Sequence, residues 1–206
     1  MKPPPSNRII LARHGETFFN RDCRIMGQLD SELTQDGLAI AEQVARLLDR
    51  EAISAVYSSP LGRAVASARI YTQRVGLPIT LKGAMAELSF GEWEGTLRAV
   101  VKPEPGPLRA SWDERPPAGE SYRDAETRVG AFISEIKEIA GRGAIFIVGH
   151  AGINRVFLRL WLGLDPEYAV RLLCPHDTLF ILDGDDRVIT RSLTRGDSRD
   201  LPLAPE

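Results

Sequence analysis

A three-layer α/β/α sandwich with a mostly parallel central sheet is the fold this sequence predicts. Short apolar runs alternate along the chain with segments of helical periodicity, the pattern of stacked βα units. The most apolar run, Ala144-Ile-Phe-Ile-Val148, has no polar alternation, as expected of a strand covered on both faces. The 206 residues, 43% hydrophobic and 26% charged, suit one domain spanning 1–206.

Each element has its own local signal. Arg8-Ile-Ile-Leu-Ala12 reads as a buried strand feeding a polar loop. Leu38, Ala41, Ala45 and Leu48 recur at helical spacing over 34–50, with Thr34 as the N-cap. Ala55-Val-Tyr-Ser58 predicts a second strand. Ser59-Pro60 then predicts a helix start, with serine as cap and proline in the first turn. Gly76-Leu-Pro78 ends that helix, and Ile79-Thr-Leu81 predicts a third strand.

Residues 91–119 differ in character. They hold Trp93, Trp112 and five prolines (103, 105, 107, 116 and 117), with Arg98, Lys102, Arg109 and Arg115. This stretch reads as an irregular, partly helical, lid-like insertion over one end of the sheet. Ser121 and Asp124 form a capping-box-like start for the next helix, whose buried stripe is Val129, Phe132, Ile133, Ile136 and Ile139. Gly141-Arg-Gly143 stops it. After the central strand, a helix covers about 153–162. Leu179-Phe-Ile-Leu182 and Val188-Ile-Thr190, joined by Asp183-Gly-Asp-Asp186, predict a terminal hairpin. The polar tail from about 195 reads as loose.

Charge and composition narrow the function classes. Twenty-six basic against 28 acidic residues give a net charge of −2, unlike a nucleic-acid-binding chain. No apolar run approaches a membrane span. The Met1-Lys-Pro-Pro-Pro-Ser-Asn7 start has no apolar signal core. Cys23 and Cys174 are two lone thiols, which suggests unpaired structural cysteines in a reducing, cytoplasmic setting. No His/Cys/Asp cluster has metal-ligand spacing, and no cofactor is expected.

Parallel sheets place ligands beyond the carboxyl ends of their strands. Those ends carry Arg13-His14-Gly15-Glu16-Thr17, Ser58-Ser-Pro-Leu-Gly-Arg63 and Gly149-His150-Ala-Gly152. Ala86-Glu87-Leu88 follows the third strand. Brought together, they give two histidines, two arginines and a carboxylate. That set suits phosphoryl transfer. Arginine forks match phosphate oxygens, an imidazole can attack phosphorus, and a carboxylic acid can protonate the leaving oxygen. Glu92 and Glu94 are rivals to Glu87 for the acid role. His176, in Cys174-Pro-His-Asp177, reads as a loop residue or a residue of the substrate rim. Phe18 and Phe19 read as core, with one ring able to face a substrate.

These elements, with Asn20, Phe90-Gly-Glu-Trp-Glu-Gly95 and Pro116-Pro-Ala-Gly-Glu-Ser121, occur in the order of the histidine phosphatase superfamily, which the sequence resembles from about residue 8 to residue 162. The resemblance implies a phosphoglycerate mutase-like fold and metal-free chemistry. By it, His14 becomes the phosphohistidine, and Glu87 protonates the leaving group and then activates water. Arg13, Arg63 and His150 form the rest of the phosphate pocket. Asn20, Gly27 and the backbone of Ala151 line its rim. The implied partner is a small-molecule phosphate ester, with no nucleic acid and no membrane, acted on by a monomer or homodimer.

Three readings follow from the resemblance: a phosphomonoesterase, a phosphoglycerate mutase, and a catalytically silent phosphate-binding domain. The family's mutases place a basic residue directly after the acid/base glutamate, whereas Leu88 and Ser89 follow Glu87 here. The pattern resembles the phosphatase branch, α-ribazole and broad-specificity phosphatases alike. The former is slightly favoured by Gly149-His-Ala-Gly-Ile-Asn-Arg155, and a sugar phosphate is a further candidate substrate. The insertion's tryptophans are candidates for stacking on an aromatic base, and its arginines for meeting a second phosphate or a carboxylate. Ala118, where the family usually has glycine, is expected to stiffen its turn.

Overall fold

The computed structural model describes residues 8–104, 107–139, 143–184, 187–198 and 201–202. The expectations for residues 1–7, Pro105, Gly141, Arg142, Asp185, Asp186, 199–200 and 203–206 lie outside them. Among the described residues, seven strands form one sheet. They are β1 (Arg8–Arg13), β2 (Ile53–Ser58), β3 (Ile79–Leu81), β4 (Ala144–Gly149), β5 (Thr178–Asp183), β6 (Arg187–Ser192) and β7 (Gly196–Ser198). The order across the sheet is β3-β2-β4-β1-β5-β6-β7. The first four strands run parallel, and the last three add on antiparallel.

The helices are α1 (Phe18–Arg21), α2 (Gln35–Leu47), α3 (Gly62–Val75), α4 (Arg98–Val101), α5 (Tyr122–Glu138), α6 (Ala151–Leu162) and α7 (Pro166–Val170). Side chains alternate along a strand, so β1 feeds two cores. Ile10 and Ala12 pack with Ala41, Val44 and Ala45 of α2 and Ala64, Ala68 and Tyr71 of α3. Ile9 and Leu11 pack with Val129 and Phe132 of α5 and Val156 and Phe157 of α6. Every residue of β4 is buried, as its unbroken apolar run requires. The helices on each face therefore make the expected three layers.

The predicted caps hold, with one exception. Thr34 accepts from the Gly37 N–H, and Ser121 with Asp124 makes a complete capping box. Gly76 ends α3 in the left-handed region, at φ 67°. Ser59, however, does not cap α3, which begins at Gly62 after an extended Leu61. Its hydroxyl accepts from the Leu61 N–H at 3.2 Å and lies 2.7 Å from His150 Nε2.

Other expectations needed correction. Helix α6 starts two residues earlier than its periodicity indicated, directly after His150. Ile139 falls past the end of α5 and is 41% exposed. The tail is not loose at its start, because β7 pairs with β6 and Pro202 C=O accepts from the Leu173 N–H at 2.7 Å. The short helices α1, α4 and α7 are too brief to show a period. Ala118 adopts φ 56°, a left-handed conformation costing about 1–2 kcal/mol outside glycine.

The insertion is partly helical, with a 3₁₀ turn at Gly91–Trp93 and α4. Trp112 is not presented to a ligand. It is 3% exposed, stacks on Tyr122 with ring centroids 4.7 Å apart, and donates its Nε1–H to Glu126 at 2.7 Å. Trp112 thus ties the insertion to α5. Trp112→Ala should lower unfolding stability by about 3–5 kcal/mol, the usual cost of removing a buried large aromatic. Urea unfolding followed by circular dichroism measures this; a midpoint equal to wild type would place Trp112 outside the core.

Candidate active site

The site grows from the carboxyl ends of β1, β2 and β4. Backbone pairing continues one residue beyond the strands. His14 N–H donates to Gly149 C=O at 3.1 Å, and Ser59 N–H donates to Val148 C=O at 2.9 Å. This sets His14, Ser59 and His150 side by side. The His14 and His150 ring centroids are 5.0 Å apart. Gly15 then lets α2 approach, since a Cβ there would lie 2.6 Å from Gly37 C=O.

The hydrogen bonds fix the tautomer of His14. Its Nδ1 lies 2.7 Å from Gly15 C=O, which can only accept, so Nδ1 carries the proton. The Nε2 lone pair then accepts from Arg63 Nε at 3.3 Å. Burial, and then the nearby His150, Arg13, His176 and Arg63, hold the imidazole well below its usual pKa. His14 is therefore a neutral imidazole at pH 7. The same direction holds for His150, where burial is followed by Arg63, Arg13 and Arg128.

The two arginines are buried differently. Arg63 Nη2 donates to Gly27 C=O and Nη1 to Leu29 C=O, both at 2.7 Å. Its Nη1 also approaches Asp30 Oδ1 at 3.4 Å. Arg13 Nη1 donates to Cys174 C=O at 3.1 Å, while its buried Nε makes no hydrogen bond to the described residues. Desolvation brings the Arg13 guanidinium down to about 10, against the pull of Glu87. The buried His150 Nδ1 is likewise without a partner among the described residues. Unpaired buried polar atoms of this kind are costly unless a ligand satisfies them.

Glu87 is held by the backbone. Its Oε1 accepts from Leu88 N–H at 3.0 Å and Ile153 N–H at 2.9 Å, and its Oε2 from Gly152 N–H at 3.0 Å. Two of these donors belong to the first turn of α6, where carboxylates are favoured. Glycine at 152 leaves room for this carboxylate, because a Cβ there would lie 2.7 Å from Glu87 Oε1 and would push it aside.

Arg13, His14, Asn20, Gly27, Arg63, Glu87 and Ala151 line one cavity of about 870 Å³. His150 is not on its wall; it is fully buried, with its ring centroid 5.0 Å from that of His14. Glu92 and Glu94 do not line the cavity. Neither do Phe18, Phe19 and Trp93. His176 is also absent from the wall. Its Nδ1 donates to His14 C=O at 2.6 Å, so it braces the backbone of His14 instead of forming a rim. Burial lowers its pKa to about 3.

Several wall residues escaped sequence reasoning. Phe90, Tyr122, Arg24, Arg155 and Arg171 all line the cavity. Arg155 had a signal, since it lies one helical turn after Ala151. Arg24 and Arg171 stand in irregular or short elements with no pattern. Arg98 and Arg109 of the insertion reach the wall as expected. Arg109 is committed to the wall itself. It is 1% exposed, donates to Glu120 C=O and Ser89 C=O, and lies 3.9 Å over the Phe90 ring. Cys23 is exposed and on the cavity wall, not packed as expected, whereas burial pushes the Cys174 thiol up to about 11. Among the described residues, no three His, Cys, Asp or Glu side chains group as metal ligands, and no helix is long and apolar enough to cross a membrane.

Known proteins share this arrangement of sequence and fold. The chain is 30% identical to phosphoserine phosphatase 1 of Hydrogenobacter thermophilus over 186 residues, covering 87% of this chain and 88% of that one. It is 33% identical over 171 residues to a Salmonella choleraesuis protein named probable phosphoglycerate mutase GpmB, covering 81% and 79%. The α-ribazole phosphatase of Shigella flexneri has the same fold, with a TM-score of 0.75 at 24% identity over 96% of both chains. The model of the histidine phosphatase superfamily (branch 1) matches residues 9–193, and the chain belongs to that family.

Proposed function

We propose that this protein is a metal-independent phosphomonoesterase that works through a phosphohistidine at His14. One observation carries the reading. Neutral His14 lines the cavity with Arg13 and Arg63, and the buried Arg13 Nε makes no hydrogen bond to the described residues, nor does Nδ1 of His150, whose ring centroid is 5.0 Å from that of His14. A phosphate group would satisfy those donors.

In the first step Arg63 Nε–H turns from His14 Nε2 to a phosphoryl oxygen, the freed Nε2 lone pair forms a bond to phosphorus, and the ester P–O bond breaks. Arg13 and Arg63 balance the charge on the equatorial oxygens. This reading assigns the Ser59 O–H, whose oxygen already accepts from Leu61 N–H, as the donor to His150 Nε2, and so gives His150 an Nδ1–H for a phosphoryl oxygen. Glu87 Oε2 accepts one backbone bond where Oε1 accepts two, so Oε2 has room for the proton that goes to the leaving oxygen. In the second step Glu87 takes a proton from water. The water oxygen attacks phosphorus, the N–P bond breaks, and inorganic phosphate leaves with His14 neutral again.

The substrate class follows from charge. Arg24, Arg98, Arg109, Arg155 and Arg171 line the same cavity beyond Arg13 and Arg63, and Glu87 is the acidic residue on its wall. This favours a small ester with a second anionic group. Phosphoserine and phosphoglycerate, in the names of two relatives, each carry a carboxylate beside the phosphate. The partner is thus a small molecule.

The first test is hydrolysis of p-nitrophenyl phosphate in excess EDTA. Wild type should retain its activity, and His14→Ala should lose it. Phosphate esters with and without a carboxylate, α-ribazole phosphate among the latter, should rank in favour of the carboxylates. A wild type that instead interconverts 3- and 2-phosphoglycerate without releasing phosphate would make the protein a mutase. Glu87→Gln should lower kcat on alkyl esters at least about a hundredfold, the low end for a lost general acid. Unchanged kcat there would remove Glu87 from proton transfer.

The buried imidazoles also set a pH dependence. His14, His150 and His176 have folded pKa values below the unfolded 6.5, so the unfolded chain binds more protons as pH falls through that value. Stability is thus full above about pH 6.5 and is lost below it, by about 1.4 kcal/mol per pH unit for each imidazole that stays neutral. In phosphate-free buffer the urea midpoint should fall from pH 7 to pH 5. Imidazole NMR signals of the folded protein should not titrate over that range; a histidine titrating near 6.5 would contradict the assignment.

A further inference from the structure

Glu94 entered as a rival to Glu87 for proton transfer, but its position gives it other work. It does not line the cavity. Its Oε1 accepts from Phe90 N–H at 2.8 Å, Gln28 N–H at 3.1 Å and Ser89 O–H at 3.3 Å. One oxygen thus binds the start of the insertion to the 27–30 turn. The fit to that turn is close. Gly27 has φ 55°, and a Cβ there would lie 2.1 Å from Glu94 Oε1. Only glycine allows both the left-handed backbone and this contact.

The same turn holds Arg63. Its Gly27 and Leu29 carbonyls accept from the two Nη atoms, and Asp30 Oδ1 accepts from Arg63 N–H at 3.1 Å. Gln28 Nε2 donates to the backbone carbonyl of Glu87 at 3.2 Å. The turn therefore has Glu94 bound at one point and Arg63 and Glu87 bound at others. Displacing it would move the carbonyls that aim the Arg63 fork. A shift of well under an ångström is enough to spoil a bidentate phosphate contact.

We propose that Glu94 is a positioning residue for phosphate recognition, fixing the 27–30 turn and, through its carbonyls, the Arg63 guanidinium against His14. The proposal rests on the reading of Arg63 as a phosphate ligand. By the same bonds Glu94 keeps Phe90, on the cavity wall, in register with the phosphate end. Its loss should weaken phosphate binding more than it slows turnover of bound ester.

The experiment is titration of inorganic phosphate into the folded protein by calorimetry, with kinetics on p-nitrophenyl phosphate. Glu94→Ala should weaken phosphate binding about tenfold and raise KM similarly, with kcat within about threefold. Glu94→Gln keeps an oxygen that can accept all three bonds and should stay within about threefold of wild type. Gly27→Ala should reproduce Glu94→Ala, because its Cβ drives Glu94 off the turn. The double variant should be no weaker than either single one, since contacting residues couple. Wild-type phosphate affinity in Glu94→Ala, or additive losses in the double variant, would overturn the proposal and leave the phosphatase reading intact. Absence of phosphate binding by wild type itself would overturn both. If Glu94→Ala does not fold, the comparison of Gly27→Ala with Glu94→Gln decides on the same readouts.

Discussion

Two guanidinium groups buried beside a neutral imidazole are the constraint on which this structure turns. A buried charge is costly without polar partners, and a fully paired one would not attract a ligand. The chain resolves this with backbone carbonyls. Arg63 is gripped by Gly27 and Leu29 carbonyls, and Arg13 by that of Cys174. Carbonyl dipoles stabilise the cations without cancelling them. Asp30 is near Arg63 but is 43% exposed, so solvent weakens its pull. What remains is net positive charge that adds to burial in depressing the histidine pKa values and favours an anion.

Supplying those carbonyls shapes the chain far from β1. Cys174 is 161 positions from Arg13, and it arrives through α6, α7 and the approach to β5. The 27–30 turn must reach Arg63 at the start of α3. Close approach then demands small residues where backbones meet. Gly15 lies against Gly37, and Gly152 against Glu87. Thr34 adds a second tie here, because its hydroxyl donates to Glu16 at 2.8 Å while also capping α2. The cap, the loop after β1 and the histidine are thus one assembly.

Much of this could be read in the sequence, for a physical reason. Strand ends and helix caps are local signals. Arg13, His14, Ser59 and His150 follow directly from apolar runs that had to be strands, and Thr34 and Ser121 cap as their positions required. Side-chain roles inside the insertion are not local. Trp112 looked like a ligand-facing ring by composition, yet its partners Tyr122 and Glu126 come from α5. Ser59 looked like a cap and became a partner of His150. Arg24 and Arg171 have no periodic context, and β7 is three polar or small residues whose pairing depends on β6. Glu87 and Glu94 have the same side chain and nearly the same address, so local chemistry left both open to the acid role and only the motif order of the resemblance favoured Glu87.

The environment separates them instead. Glu87 lies against the first turn of α6, on the cavity wall, with its oxygens unequally loaded. Glu94 lies behind the wall with one oxygen taken three times. The arginines divide on the same principle. Arg109 and Arg155 donate to Glu120, Ser89 and Leu172 carbonyls and to the Tyr122 hydroxyl, all neutral acceptors. They fix the walls yet keep their full charge toward the cavity. A second anionic group on a substrate would thus meet a positive field from several directions, without needing one dedicated fork. Recognition by field tolerates variation in the distance between two anions, whereas the phosphate end, aimed by fixed carbonyls, does not. In the proposed reading the site is strict about the phosphoryl group and permissive about the rest of the ester.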